Sequence, residues 1–538
     1  MSIFFAGNMV RQRHGIFKPP VASGYSVNYA LVGGGGAGGG NWGGGGGAGQ
    51  VVQSTTNLAF STLYNIVVGT GVTGTAYNNP PLPQAYPSIF ATEFAYGGGS
   101  GGDGLSGYTN GNTGGSGGGA CSGYSVNLTN TLTSYGGSSI GGYAGGDSIA
   151  PRISGGGGGA GSAGGSGTLT GSGNGGAGIA ITITGYSAGT FAGGGGGGAG
   201  QAYTAGTGGS GGGGNGAAGL NVSGGNATAN TGSGGGGNSG GGGGVGGSGG
   251  SGIVILSIPT ANYSGDAYVN GGVIDNSVWT KTTSGSNTIL TFKKNSTYAS
   301  SAGYPTPPFT YPANILTIGG GGAGGDYQAS IQSGTGGNGG QSSEVSASIT
   351  NGQVLTISVG LGGQVATFDG NNNVITDPTD GQTTAVKINA FDVCASDGGT
   401  TGATLADNGQ PYLGGNGNNI MYDDADPNND KYKGSGINGG NGYVSTITGT
   451  SVYYGGGGAG QTSGGSYGTN GLGALGIGGK GGTHGTVHPS TAGDNGAVIL
   501  AIPILRYTGN ISGNPLVSYD SSNNNVILTY RNSGTYTA

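Results

Sequence analysis

The stretch LVGGGGAGGGNWGGGGGAGQ, Leu31 to Gln50, holds thirteen glycines in twenty residues and offers almost no side chains to bury. Whatever folds here must fold through its backbone. Fixing a residue costs about 1–2 kcal/mol of backbone entropy, and glycine loses more than any other residue. Side-chain burial in GGGGAG cannot offset that. Without Cβ atoms, however, extended left-handed helices of polyproline II shape, with three residues per turn and a rise of about 3.1 Å, approach one another closely. Each N–H and C=O then points sideways at a neighbouring rod. A net gain of about 1 kcal/mol per hydrogen bond is the right size to offset the ordering. At that rise a six-residue run spans about 19 Å, so each run reads as one short rod in a stacked bundle, with the chain turning back at the ends.

The hexapeptide GGGGAG recurs six times, beginning at Gly33, Gly44, Gly156, Gly195, Gly319 and Gly455, and three copies run on into Gln50, Gln201 and Gln461. Longer segments repeat twice in the same order. VNYALVGGGGAGGG, YNIVVGTG, FAGGGGGGAGQ, GSGIVILSIPTANYSG and NTILTFKKNSTY are followed by NILTIGGGGAGGD, LTISVGLGG, YYGGGGAGQ, DNGAVILAIPILRYTG and NVILTYRNSGTY. Tyr263 and Tyr507 fall at the same offset after the repeated G-x-V-I-L-x-I-P that begins at Gly252 and Gly496. The order implies two tandem modules, residues 25–300 and 310–538, with 301–309 a proline-rich linker and 1–24 a separate N-terminal segment. GIVILSI, NTILTF, AVILAI and NVILTY are strand-length runs, and helix-period apolar patterning is nearly absent. The expected fold is all-β and irregular: two glycine-rich modules of stacked polyglycine II helices, flanked by short β-strands, with almost no α-helix.

Composition alone, 144 glycines and 18 prolines in 538 residues, places the chain in the low-complexity class, for which the plain alternative is a disordered linker. A charged fraction of 6% and 29 tyrosines argue against it, because little charge repulsion holds such a chain open. No glycine register of every third residue is kept, which excludes collagen. A net charge of −6 with 13 basic residues gives no nucleic-acid footprint. The two cysteines, Cys121 and Cys394, read as free thiols. No apolar stretch reaches the roughly 18–20 residues of a membrane span. In MSIFFAGNMVRQRHGIFKPP the apolar run precedes the basic residues, the reverse of a secretory signal, so the sequence reads as made in a cytoplasm without Sec export.

Motifs with chemistry are sparse. Gly69, Gly71 and Gly74 spell G-x-G-x-x-G, but TAYNNPPLP follows where a dinucleotide site needs a helix. GIGGKGG around Lys480 lacks the Ser/Thr of a phosphate loop and reads as a glycine turn. His484 and His488 stand four apart before a proline, and with His14 they read as surface loop histidines rather than zinc ligands. No catalytic set is recognisable, and the chain reads as non-enzymatic. In MYDDADPNNDKYK, Asp424, Asp426, Asn428 and Asp430 alternate as in a calcium loop, although Asn429 replaces the turn glycine and the distal glutamate is absent. A solvated acidic loop is the leading reading there, and calcium is the single cofactor the sequence admits. Two insertions, Thr75 to Tyr96 and Thr404 to Lys433, break the glycine rhythm with aromatics. Either these fold back over the bundle, or Tyr77, Tyr86, Phe90, Tyr96, Tyr412, Tyr422 and Tyr432 form a binding tip.

Repeated GGGGAG(Q) rods, a GSGIVIL-x-IP strand closing each glycine section and a final ILTF…TY segment resemble the glycine-rich modules of bacteriophage tail fibres and virion appendages. The rods are similar to the polyglycine-sandwich adhesins at the tips of T-even long tail fibres. The resemblance implies attachment to a host surface glycan or outer-membrane protein through loops between rods, with localisation in the virion after assembly in the host cytoplasm. It also implies contact with other virion proteins through the N-terminal segment, where Arg11, Arg13 and Lys18 suit an anchor, and it admits a homotrimer. A capsid decoration, a bacterial surface-matrix protein, an ice-binding protein and a depolymerase spike are the alternatives.

Overall fold

The computed structural model describes residues 24–538 except 75–83, 105–109, 122–133, 149–151, 242, 271–274, 301–309, 326–334, 369–373, 403–437, 461–467 and 482–489. The N-terminal segment up to residue 23 and the proline-rich linker therefore lie outside the described residues, and Gly24 already begins the first strand. Among those described there is no α-helix, only short 3-10 turns such as Thr260–Asn262 and Ile504–Arg506.

The glycine runs pack as hydrogen-bonded rods with a period of three. In the run 43–50 the N–H groups of Gly44, Gly47 and Gln50 donate to the carbonyls of Gly102, Gly99 and Tyr96. Gly45 and Ala48 donate to Gly155 and Gly158, and Gly46 and Gly49 to Gly235 and Gly232, all at 2.7–3.0 Å. Every third residue thus meets the same neighbour, one step of three further along, as a threefold helix requires. The carbonyls complete the pattern. Gly44, Gly47 and Gln50 accept from Gly39, Gly36 and Gly33, Gly45 and Ala48 from Gly119 and Ser116, and Gly43 and Gly46 from Gly198 and Gly195. One rod therefore has six hydrogen-bonded neighbours.

The run 319–325 repeats this arrangement. Gly319, Gly322 and Gly325 donate to Gln341, Asn338 and Thr335, while Gly320 and Ala323 donate to Gln382 and Thr379. Gly321 and Gly324 donate to Asp494 and Thr491. The residues expected to form a glycine turn around Lys480 are part of such a rod. Gly478 and Gly481 donate to Gly456 and Ala459, and Gly479 to Gly322. A glycine-only string does not reveal whether it turns or runs straight; neighbours decide.

Where the lattice runs out, a side-chain amide stands in for the missing rod. Asn174 Oδ1 accepts from both the N–H and the hydroxyl of Thr207, at 2.8 and 3.0 Å. Asn438 holds Thr469 in the same way, at 2.8 and 3.1 Å. Asn215 and Asn226 accept from Gly208 and Ser248. An amide side chain carries the same acceptor as a peptide, so these exposed edges keep their backbone donors satisfied.

At one end the rods continue into strands. The first half contains β1 (Gly24–Val32), β2 (Val51–Ala59), β3 (Leu63–Val67), β4 (Ser88–Phe90), β5 (Glu93–Ala95), β6 (Ile179–Ile183), β7 (Tyr186–Phe191), β8 (Ile253–Pro259), β9 (Trp279–Ser284), β10 (Asn287–Phe292) and β11 (Ser296–Ala299). The second contains β12 (Thr310–Ile318), β13 (Ser342–Thr350), β14 (Val354–Ser358), β15 (Thr367–Phe368), β16 (Val374–Thr376), β17 (Thr384–Ile388), β18 (Phe391–Ser396), β19 (Tyr443–Ser445), β20 (Val452–Tyr454), β21 (Ala497–Pro503), β22 (Leu516–Asp520), β23 (Asn525–Tyr530) and β24 (Gly534–Thr537). The same architecture is built twice. Five-stranded sheets ordered β2-β1-β8-β10-β9 and β13-β12-β21-β23-β22 each accompany a four-stranded sheet, β11-β3-β4-β5 and β24-β14-β17-β18.

Each five-stranded sheet is covered on both faces, which explains why GIVILSI and AVILAI are continuously apolar rather than alternating. Val254, Leu256 and Ile258 pack with Tyr29, Phe90 and Tyr298 towards the four-stranded sheet. Ile253 and Ile255 pack on the other face against Ile181 of the β6–β7 hairpin. In the second half Val498, Leu500 and Ile502 face Tyr536, and Ile499 faces Tyr454 of the β19–β20 hairpin. The repeated tyrosines pair inside: Tyr25 and Tyr298 hydroxyls lie 2.7 Å apart, and those of Tyr311 and Tyr536 lie 3.1 Å apart.

The two halves share one core. Val67, Ile89 and Phe94, on the outer face of the first four-stranded sheet, belong to the apolar cluster of the second half. Phe94 stacks on Tyr519 at 5.3 Å, and Asn65 Nδ2 donates to the Tyr507 carbonyl at 3.4 Å. Gly509, with φ +73°, lies under Val67, where a Cβ would collide.

Three outcomes are expected. At Gly46 a Cβ would overlap the Gly36 and Ala37 carbonyl oxygens, so Gly46→Ala destabilises by about 1–3 kcal/mol in thermal melts. Gly189→Ala in β7, with nothing within 4 Å of the new methyl, is neutral or stabilising by about 0.5–1 kcal/mol. Phe94→Ala removes the ring that joins the halves, costs about 3 kcal/mol or more, and splits one calorimetric transition into two.

Candidate functional site

Turns gather at the end of the first rod bundle opposite its sandwich. β1 feeds the rod 33–39, the chain reverses at Asn41 and Trp42, and the rod 43–50 returns to β2, so this reversal lies at the far end. Other turns meet it there. Gly241 N donates to Asn41 Oδ1 at 3.4 Å, the Ser154 hydroxyl donates to the Trp42 carbonyl, and Gly200 N donates to the Arg152 carbonyl at 2.9 Å. Thr204 N donates to the Thr170 carbonyl at 3.3 Å, and Asn221 N to that of Gly240 at 2.8 Å.

Four non-glycine residues in this cluster occupy the left-handed region: Asn41 at φ 45°, Trp42 at 52°, Arg152 at 67° and Asn221 at 59°. A bulky residue there is strained, and such strain persists only where the surroundings fix it. Here Trp42 is buried, and the Arg152 guanidinium lies 5.5 Å from its ring centroid, a cation–π contact that clamps two reversals together. Beside them the turns present apolar side chains to solvent. Leu169 is 80% exposed and Leu220 51%, with Val222 and Val245 also exposed. A platform with protruding aliphatic groups, amides and a guanidinium is suited to contact, and among the described residues it brings together no acid–base or nucleophile set.

The sequence candidates are distributed differently. Phe90 is fully buried between the sheets of the first half, beside Tyr29 and Tyr64, so it is a core residue and not a contact residue. Its three-residue strand is too short to show a period in the sequence. Tyr86 and Tyr96 are half-buried against the second half, with Tyr86 Oη donating to Asn514 Oδ1 at 3.3 Å. They serve the junction between the halves. Tyr77, Tyr412, Tyr422 and Tyr432, the calcium candidates Asp424, Asp426, Asn428 and Asp430, the anchor candidates Arg11, Arg13 and Lys18, and the three histidines lie outside the described residues. Cys121 and Cys394 are buried free thiols. Sequence reasoning missed the far-end cluster, although Asn41 and Trp42 are the pair that interrupts the longest glycine run of the opening stretch.

The family profile of the glycine-rich domain matches residues 14–259 and 296–503. No curated protein and no solved structure matches the chain.

Burial at the junction has a pH consequence. The Tyr86 hydroxyl is pushed up to about 12 by desolvation, and burial raises those of Tyr507, Tyr530 and Tyr536 beside it. In the unfolded chain a tyrosine ionises near its ordinary value of about 10. The contribution to stability is therefore whole below about pH 10 and is lost as pH rises towards about 12. Urea midpoints should fall across that window, and Tyr86→Phe, which cannot ionise, should reduce the slope.

Proposed function

The chain belongs to the glycine-rich domain family, and on that footing we propose that it is a non-enzymatic structural protein of a bacteriophage virion, a tail fibre or receptor-binding adhesin. The observation that carries this reading is the division of labour along rods such as 33–39 and 43–50. Their near ends continue into the strands of a β-sandwich, their shafts are backbone hydrogen-bonded to neighbours, and their far ends meet in a turn that carries side chains.

Such a build holds loops away from a base with little bending, because every rod is tied to its neighbours by donors and acceptors along its length. Receptor choice then rests on the turns around Trp42, Arg152, Leu169 and Leu220. The exposed aliphatic groups supply contact area and the amides supply direction, as in other loop-borne binding surfaces. The N-terminal segment with Arg11, Arg13 and Lys18 would join other virion proteins. The partner at the far end would be a host surface glycan or outer-membrane protein.

Immunogold electron microscopy of particles from the source culture, with antibody to this chain, tests the location. Gold on the tail or its fibres is expected, and gold on the envelopes of uninfected cells would overturn the reading. Leu169→Asp with Leu220→Asp should lower adsorption of the purified chain to host cells by about tenfold or more at unchanged melting temperature. Unchanged adsorption would remove the far-end turns from the contact.

A further inference from the structure

The two halves differ on the face of the five-stranded sheet that carries the small hairpin, at an edge position that meets the hairpin. In the first half Gln53 of β2 lies opposite Ala30, which in turn faces Ile255 of β8. In the second half Glu344 of β13 lies opposite Leu316, which faces Ile499 of β21. Gln53 and Glu344 are therefore equivalent positions.

Gln53 ties the sheet edge to the hairpin. Its Nε2 donates to the Ala180 carbonyl at 3.1 Å, and its Oε1 accepts from the Thr182 N–H at 2.7 Å. That reciprocal pair needs a group that both donates and accepts. A carboxylate only accepts, so Glu344 cannot make it. Glu344 Oε2 instead accepts from the Ser445 hydroxyl at 2.8 Å and the Tyr443 hydroxyl at 3.3 Å, both on β19. Between sheet edge and hairpin a cleft of about 440 Å³ lies open, lined by Asn314, Glu344, Ser346, Tyr443, Ser445 and Thr446.

We infer that this cleft is a carbohydrate-binding site for a short neutral oligosaccharide segment. A volume of this size suits a small ligand. The lining has the matching chemistry: a carboxylate and an amide that accept from sugar hydroxyls, hydroxyls that donate or accept, and a half-buried tyrosine ring whose apolar face meets the C–H face of a pyranose. A bare cation fits less well, because a calcium site converges 6–8 oxygens on one point and this lining is spread along an open cleft with a single carboxylate. The inference rests on the proposed attachment role and goes beyond its far-end contact, adding a separate glycan-binding contact on the second half.

The test uses the full chain on an array of neutral oligosaccharides containing maltotriose, cellotriose and chitotriose, followed by titration calorimetry with the strongest binder. Binding is expected to weaken about tenfold or more in Glu344→Gln and to be lost in Tyr443→Ala. Tyr443→Phe keeps the ring and should retain most of it, and Gln53→Ala, at the equivalent position of the first half, should leave it unchanged. Melting temperatures check that each variant folds. No binding on the array, or binding equal in wild type, Glu344→Gln and Tyr443→Ala, overturns the site. If gold decorates virions while these variants bind sugar as the wild type does, the cleft fails alone. If sugar binding is lost in the variants while gold marks uninfected cells, the virion reading fails alone.

Discussion

The missing Cβ is the constraint on which everything else depends. A rod such as 43–50 meets six neighbours through backbone groups, and at Gly46 a single methyl would enter the space of the Gly36 carbonyl. Glycine is a poor residue for ordering a chain, since it surrenders the most entropy. In this lattice it is the residue that lets two backbones approach within hydrogen-bond distance on every side. The alanine of GGGGAG shows how narrow the tolerance is. In five of the six copies, at Ala37, Ala48, Ala199, Ala323 and Ala459, it is fully buried, so one methyl per run is accommodated at a fixed point of the lattice, and Ala160 in the sixth is half-buried.

A lattice without side chains has no register of its own, and the β-sandwiches supply it. Because β1 runs directly into the rod 33–39 and the rod ending at Gly252 runs into β8, pairing of Tyr29 with Leu256 fixes where those rods begin. Side-chain packing is concentrated at one end, backbone packing fills the middle, and the turns around Trp42 and Arg152 occupy the other end. The exposed asparagines at the rod edges complete this division by replacing absent neighbours with amide acceptors. The shared core around Phe94 and Tyr519 then ties the two halves together.

Much of this was legible in the sequence. Six copies of GGGGAG pointed to rods, the repeated G-x-V-I-L-x-I-P pointed to buried strands, and the duplicated order of segments pointed to two similar halves. What periodicity could not supply was contact between segments far apart in the chain. Strands of three residues, such as β4 with Phe90, carry no period, so an aromatic in the core looked like an aromatic in a loop. A glycine string around Lys480 looked like a turn because nothing local distinguishes a turn from a rod. The far-end cluster was hidden for the opposite reason: Asn41 and Trp42 stood plainly in the opening stretch, but their significance depends on Arg152 and Gly241, which only the fold brings beside them.

Amide hydrogen exchange followed by mass spectrometry tests the central claim most directly, since the rods are held by N–H groups and little else. Peptides covering 43–50 should exchange as slowly as those covering β8, in spite of containing almost no side chains. Exchange of that glycine run within seconds, while β8 stays protected, would contradict the account and leave the glycine sections as loops on a β-sandwich.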